Sequence, residues 1–190
     1  MSNAIEIEAK VLLCESDFRK LASLFQKEEA YSQTNYYIDS EDRVLAKQGI
    51  ALRVREKSGS FEMTLKTPLS EGLLEKNCPL SAEEFTSLKK GEGFPAKDID
   101  RFLTMLDIDV PSLKILTSLT THRIDVHYEG GLLSLDENEY SGRKDYEVEF
   151  EYNHLDGARK ILKSLLESNL IPCEFSTVTK VNRAMKAIGK

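Results

Sequence analysis

The chain has 190 residues, 41% hydrophobic and 31% charged, with 26 basic against 32 acidic side chains and a net charge of −6. That length suits one domain, residues 1–190, with a real core, and the acidic balance excludes a protein that grips nucleic acid by bulk charge: any bound anion must meet a local cluster of Arg and Lys. Cys14, Cys78 and Cys173 are odd in number and lie in no CxxC or Cys/His spacing, so they read as reduced thiols of a cytoplasmic protein, and neither a leader peptide nor an apolar run of about 18 residues is present to suggest a membrane.

The pattern predicts a strand over residues 5–13, then an amphipathic helix with Phe18, Leu21, Ala22, Leu24 and Phe25 on one stripe. Residues 31–39 read as a second strand, and Asp39-Ser40-Glu41-Asp42 as the opening of a short helix ending at Gly49. Residues 50–57 and 60–67 read as a hairpin turned by Lys57-Ser58-Gly59. Pro68 to Pro79 reads as irregular, with a short strand near Leu73-Leu74-Glu75, and 81–107 as two helices broken between Gly91 and Pro95. Three strands follow, about 113–128, 131–140 and 143–152, then a helix from Leu155 to Ser168 and a last short helix within 177–188.

Five of these stretches alternate apolar with charged residues: Ile5 to Val11, Leu52 to Arg55, Phe61 to Lys66, Arg123 to Val126, and Asp145 to Glu151. Side chains along a strand alternate between faces, so each stretch has one apolar and one ionic face. Adjacent strands joined by tight turns predict an antiparallel sheet, and about eight of them can close into a barrel wide enough for a small ligand. The expected fold is therefore α+β: an eight-stranded antiparallel β-barrel with its apolar face outward under helices and its charged face lining the inside. Like charges side by side, as at Arg53 and Arg55 or at Glu147, Glu149 and Glu151, repel unless a counter-ion lies between them.

Glu6 and Glu8 place two carboxylates on one face beside the Lys10 ammonium, and Glu147 and Glu149 repeat the carboxylate pair. Carboxylates without histidine suit Mg²⁺ or Mn²⁺, which take oxygen ligands and substrate phosphate oxygens. Arg53, Arg55, Lys66 and Arg123 suit phosphate oxygens, Arg as a planar fork and Lys as a compact charge. His122, His127 and His154 have no nucleophile in motif spacing, and Gly130-Gly131 reads as a turn, since no strand-Gly-helix context surrounds it.

The E-x-E-x-K of Glu6, Glu8 and Lys10 resembles the hallmark of the CYTH superfamily, the triphosphate tunnel metalloenzymes. In order along the chain, Arg53-Val54-Arg55 resembles that family's R-x-R strand, Thr64-Leu65-Lys66 its T-x-K strand, Thr121-His122-Arg123 its later arginine strand, Leu135-Asp136 its L-D and Glu147-Val148-Glu149 its second acidic pair. Lys180 with Arg183 resembles the C-terminal S-K-x-x-R, with Thr179 in place of Ser. The spacing, and Gly72-Leu73-Leu74-Glu75 before Pro79-Leu80-Ser81, are most similar to the small single-domain bacterial group.

The resemblance implies a tunnel that holds a triphosphate. Lys10, Arg53, Arg55, Lys66, Arg123, Lys180 and Arg183 would bind phosphate, and Glu6, Glu8, Glu147 and Glu149 would bind Mg²⁺ or Mn²⁺. Lys10 and Glu149 are the expected catalytic residues, Lys10 as a phosphate clamp or a proton acceptor. Glu75, Asp136 and Glu151 are further candidates. The expected activity is metal-dependent hydrolysis of a small triphosphate such as inorganic tripolyphosphate. The alternatives are a class IV-type adenylate cyclase, in which a ribose hydroxyl replaces water, and a non-catalytic polyphosphate or nucleotide binder. Expected partners are the small-molecule triphosphate alone, with no nucleic acid and no membrane, for a monomer or homodimer.

Overall fold

A computed structural model of the chain describes residues 2–70 and 72–189. Strands β1 (Ser2–Glu6) and β2 (Glu8–Leu13) lead into helix α1 (Glu15–Ala22), β3 (Ala30–Asp39), the one-turn α2 (Val44–Lys47), β4 (Ala51–Lys57), β5 (Ser60–Pro68) and β6 (Leu73–Leu80). Helices α3 (Ala82–Lys90) and α4 (Lys97–Met105) precede β7 (Lys114–Tyr128), β8 (Gly131–Tyr140) and β9 (Arg143–Glu151), and α5 (Leu155–Ser168) and α6 (Lys180–Ala187) follow. Among the described residues, nine strands form one antiparallel sheet in the order β1-β6-β5-β4-β3-β7-β8-β9-β2.

The two outermost strands of that order are consecutive in the chain, separated by Ile7 alone. The first half of the N-terminal stretch pairs with β6 and the second half with β9, and the Ile7 carbonyl accepts a hydrogen bond from the Tyr152 amide at 3.0 Å. This curls the sheet into a nearly closed barrel and leaves few unpaired edges. Counted as one stretch, β1 and β2 give the eight staves that the alternating pattern predicts.

Three hairpins fix the register. Ser58-Gly59, Glu129-Gly130 and Ser141-Gly142 each join neighbouring strands through two residues with positive φ, the turn whose twist matches that of the flanking strands. The outward faces are apolar. Ala9, Val11, Val148 and Phe150 pack against Phe18 and Leu21 of α1 and Leu162, Leu165 and Leu166 of α5. Leu52, Val54, Met63 and Leu65 pack against Phe85 and Leu88 of α3 and Ile99 and Leu103 of α4. Each fully covered Leu, Val or Phe contributes about 1.5–3 kcal/mol, so the helical coat stabilises a barrel whose other face is polar. Helix α3 starts on a capping box of Ser81 and Glu84 and stops at Gly91. Among the described residues, no helix is long and apolar enough to cross a membrane.

Four local expectations change. Leu24, expected on the buried stripe of the first helix, lies past the end of α1 and is 50% exposed. The stretch over 5–13 is two strands rather than one. The segment read as irregular from Pro68 to Pro79 contains an eight-residue strand paired along β5, with Pro79 near its end where a missing N–H costs least. The helix after Asp39 is four residues long, because the Asp39 carboxylate itself caps the Leu45 and Ala46 amides.

The seam gives a direct test. Gly72 has φ +79°, and an added Cβ would lie 2.3 Å from the Glu6 carbonyl oxygen. Gly72→Ala is expected to lower unfolding free energy by at least about 1–3 kcal/mol, read from urea denaturation midpoints; an unchanged midpoint would show that the β5–β6 turn does not brace the closure.

Candidate active site

Strand alternation turns Glu6, Glu8, Lys10, Arg53, Arg55, Lys66, Arg123, Glu149 and Glu151 into one cavity of about 250 Å³, and Lys180 enters it from the start of α6. Glu75, Asp136 and Glu147 sit behind these residues as their partners, and Arg183 pairs in turn with Glu147. Every candidate read from the sequence therefore lies either in the bore or in the ionic network behind it.

Within the bore, the candidates separate into groups. On the wall formed by β7, β8, β9 and β2, Arg123 holds Asp136 through two hydrogen bonds of 2.6 Å and Glu149 through one of 2.9 Å. Lys10 lies 3.1 Å from Glu149 and 2.5 Å from Glu8. Lys180 contacts Asp136 at 2.8 Å, Glu147 at 2.5 Å and Glu149 at 2.7 Å, and Arg183 contacts Asp145 at 2.7 Å and Glu147 at 2.9 Å. Ligand-type oxygens of Asp136, Glu147 and Glu149, all buried, lie within 4.8 Å of one another. Glu6 belongs to a different group: it and Glu75 both pair with Lys66 at 2.5 Å. The break at Ile7 explains the division. Glu6 ends the half-strand paired with β6, and Glu8 starts the half paired with β9.

Five carboxylates on the β8–β9–β2 wall (Glu8, Asp136, Asp145, Glu147 and Glu149) share the four cations Lys10, Arg123, Lys180 and Arg183. Burial, followed by the neighbouring charge of Glu149, pushes the Glu8 carboxyl up to about 7. Among the described residues, one buried Glu147 oxygen has no hydrogen-bond partner. Glu149 is held well below the usual carboxylate range: burial acts against its charge, but Lys180, Lys10 and Arg123 overcome it. Burial likewise opposes the Lys10 charge, yet Glu149 and Glu8 lift its pKa above that of an ordinary lysine. At the edge of the bore, burial raises the Glu151 carboxyl, with Glu6 and Glu75 adding to the effect.

The opposite wall has the reverse imbalance. Strand β4 stands four staves from β9 in either direction around the barrel when β1 and β2 are counted together. Among the described residues, neither Arg53 nor Arg55 has a carboxylate within 4.0 Å. The Arg53 Nε is buried without a partner, and Arg55 reaches only Asn35, at 3.4 Å. Arg53, then burial and Arg123, depress the Arg55 pKa to about 10. Among the described residues, two adjacent guanidinium groups thus sit in the bore with no carboxylate in contact, Glu75 and Glu62 offsetting the Arg55 charge only from a distance.

Helix α6 closes part of one end. Ala184 and Met185 pack on the inward-facing Tyr37, Leu119 and Tyr140, and Thr179 caps the helix by accepting from the Asn182 amide at 3.2 Å. Threonine caps a helix much as serine does, so the departure at this position leaves the element intact. Several further participants lie outside the candidate residues read from the sequence. Gln33, Asn35 and Ser134 line the cavity, Asn138 bridges Thr121 and Glu147, and Asp145 anchors Arg183. The spacing by two of Gln33, Asn35, Tyr37 and Asp39, and of Ser134, Asp136 and Asn138, is the pattern that points to the polar members.

Comparison with known proteins agrees with this architecture. The CYTH domain family model matches residues 4–184. A Bacillus subtilis (strain 168) protein, YjbK, named as a candidate triphosphatase, is 36% identical over 186 residues, covering 96% of this chain and 95% of its own. A crystal structure of a Bacillus halodurans protein described as a candidate adenylate cyclase superposes with TM-score 0.89 at 36% identity, covering 96% of this chain and 98% of that one. The Hippeastrum protein HpAC1, described as a candidate adenylyl cyclase with a dominant triphosphatase activity, superposes with TM-score 0.77 at 25% identity, covering 98% and 97%. With the family model spanning residues 4–184 and a relative 36% identical over nearly its whole length, the chain belongs to the CYTH domain family.

Proposed function

We propose that this chain is a divalent-metal-dependent triphosphatase of residues 1–190 working as one domain, acting on inorganic tripolyphosphate or a small organic triphosphate. One observation carries the reading: an unpaired arginine pair faces, across a single bore, a wall with more carboxylates than cations. A triphosphate supplies the anion that Arg53 and Arg55 lack. A Mg²⁺ or Mn²⁺ ion supplies the positive charge that the acidic wall lacks. The orphaned Glu147 oxygen and the buried cluster of Asp136, Glu147 and Glu149 fit such an ion. Glu8, Glu147 and Glu149 would hold it with Asp136, and Glu6 from the neighbouring group. When bound, the metal neutralises phosphate charge and acidifies a water.

The chain's own residues position and stabilise. Phosphoryl transfer needs little covalent help from a protein; charge placed around the transferring group does most of the work. Arg53 and Arg55 offer guanidinium forks to non-bridging oxygens. Lys10, ion-paired with Glu8 and Glu149 beside the cavity, serves as a phosphate clamp. Arg123 and Lys180 are spaced among the carboxylates, where they keep that wall folded before substrate arrives and offer further donors once it does. Lys66 and Arg183 are more fully committed to carboxylates and support the site from its margins. The same apparatus would serve a cyclase, and the names of two solved relatives keep that reading open. We place the protein in the cytoplasm as a monomer or homodimer.

Purified protein with Mg²⁺ or Mn²⁺ is expected to release phosphate from tripolyphosphate, and the Glu147→Ala, Glu149→Ala double variant to lose about 100-fold or more. Chelation of the metal should stop turnover and re-addition restore it. Cyclic AMP rather than phosphate from ATP would favour the cyclase, and binding without turnover of either would favour the non-catalytic module. A second expectation follows from the like-charge pair: Arg55→Gln should raise the melting temperature of the ligand-free protein by about 2–4 °C for each kcal/mol of repulsion removed, while shrinking the stabilisation that tripolyphosphate confers. A ligand-free melting point that falls would show that Arg55 is already satisfied.

A further inference from the structure

The bore does not end at the arginine pair. Its cavity continues past Arg53 toward α2, where Ala46, Ile50 and Ala51 line it together with Arg43 and Asn182. Inward positions on β4 step from Arg55 to Arg53 to Ala51, roughly 6.6 Å apart at each step. Ala51 offers no donor, and its cross-strand neighbour Lys66 is already held by Glu6 and Glu75. A triphosphate can span the Arg55–Arg53 step without reaching the next one. Whatever occupies that last position must therefore find its donors elsewhere.

Arg43 is placed to supply them. It sits in the left-handed region at φ 63°, an uncommon conformation for a side chain of its size and one that needs its surroundings to enforce it. The enforcement comes from buried Asp39, whose oxygens accept from the Ser40 amide at 2.8 Å, the Leu45 amide at 2.9 Å, the Ala46 amide at 3.2 Å and Arg43 Nε at 3.1 Å. Three backbone amides thus share the Asp39 charge, and Arg43 gives it only Nε. The two terminal nitrogens of Arg43 make no hydrogen bond among the described residues, although the side chain is only 17% exposed and borders the cavity. A braced guanidinium with its fork free is suited to a phosphate group.

We propose that Arg43 is a specificity-determining residue, a third anion contact one step beyond Arg53 and Arg55, which favours linear polyphosphates of four or more phosphates over tripolyphosphate. This rests on the reading of the bore as a triphosphate site. The fourth phosphate extends past Arg53 in the direction of Ala51, into the part of the cavity that Arg43 and Asn182 border.

Calorimetric titration of the full chain with inorganic tripolyphosphate, tetrapolyphosphate and ATP, in one magnesium buffer, tests it. Wild type is expected to bind tetrapolyphosphate more tightly than tripolyphosphate. Arg43→Gln should weaken the longer ligand by about tenfold more than the shorter, the worth of one charge-assisted contact. Arg43→Lys should recover part of the difference, because it restores the charge without the fork. Equal weakening of both polyphosphates would make Arg43 only a brace of the α2 turn and overturn the proposal. A wild type with no preference for the longer chain would overturn it and leave the triphosphatase reading standing. Selective loss of ATP would overturn it in favour of an organic group at this position. Failure of wild type to bind any of the three would sink the triphosphate reading itself, and this inference with it.

Discussion

A hollow lined with charge is stable only where each ionic group withdrawn from water meets its opposite, because an isolated buried ion costs several kcal/mol even after relaxation. Most of this bore obeys that constraint. Arg123, Lys180, Lys10 and Arg183 thread among Asp136, Asp145, Glu147, Glu149 and Glu8, so that wall is nearly neutral when empty. Among the described residues, the departures are few and lie opposite one another: Arg53 and Arg55 without a carboxylate in contact, and a carboxylate surplus marked by the lone Glu147 oxygen. A fold does not keep such imbalances for its own benefit. They place the anion on one side and the cation on the other, in a space where low dielectric strengthens both interactions.

The rest of the architecture makes that arrangement affordable. Turning the apolar strand faces outward exposes them, and α1 and α5 on one side with α3 and α4 on the other cover them again. Closing the sheet through a single interrupted stretch removes the edges that a charged, twisted sheet would otherwise leave open. Helix α6 then delivers Lys180 and Arg183 into the acidic wall while its apolar side rests on Tyr37, Leu119 and Tyr140. Stability is concentrated in the coat and chemistry in the lining, with the strand backbone linking the two.

Much of this was legible because period-2 alternation is a local signal and the charges are of distinctive kinds. Ile5 to Val11, Leu52 to Arg55 and Asp145 to Glu151 each announce a face, and the glycine turns at Lys57-Ser58-Gly59 and Gly130-Gly131 announce hairpins. What stayed hidden depends on long-range pairing. In E-x-E-x-K, Glu6 and Glu8 look like one array, yet the break at Ile7 assigns them to different strand neighbours and different lysines. Leu73 to Leu80 lacks alternation and carries Pro79, so only its pairing with β5 makes it a strand. Arg43 gave no signal, since a lone arginine in a turn acquires meaning only through the Asp39 brace and the cavity beside it. Asp145 and Asn138 likewise act through partners far along the sequence.

The central claim is that two walls of opposite imbalance share one ligand and one metal between them. Co-crystallisation with tripolyphosphate and Mn²⁺, with manganese located by its anomalous scattering, tests this most directly. The account requires phosphate oxygens on Arg53 and Arg55 and manganese inside the bore against Glu147 and Glu149. Manganese on the outer surface, or a triphosphate bound away from the arginine pair, would contradict it.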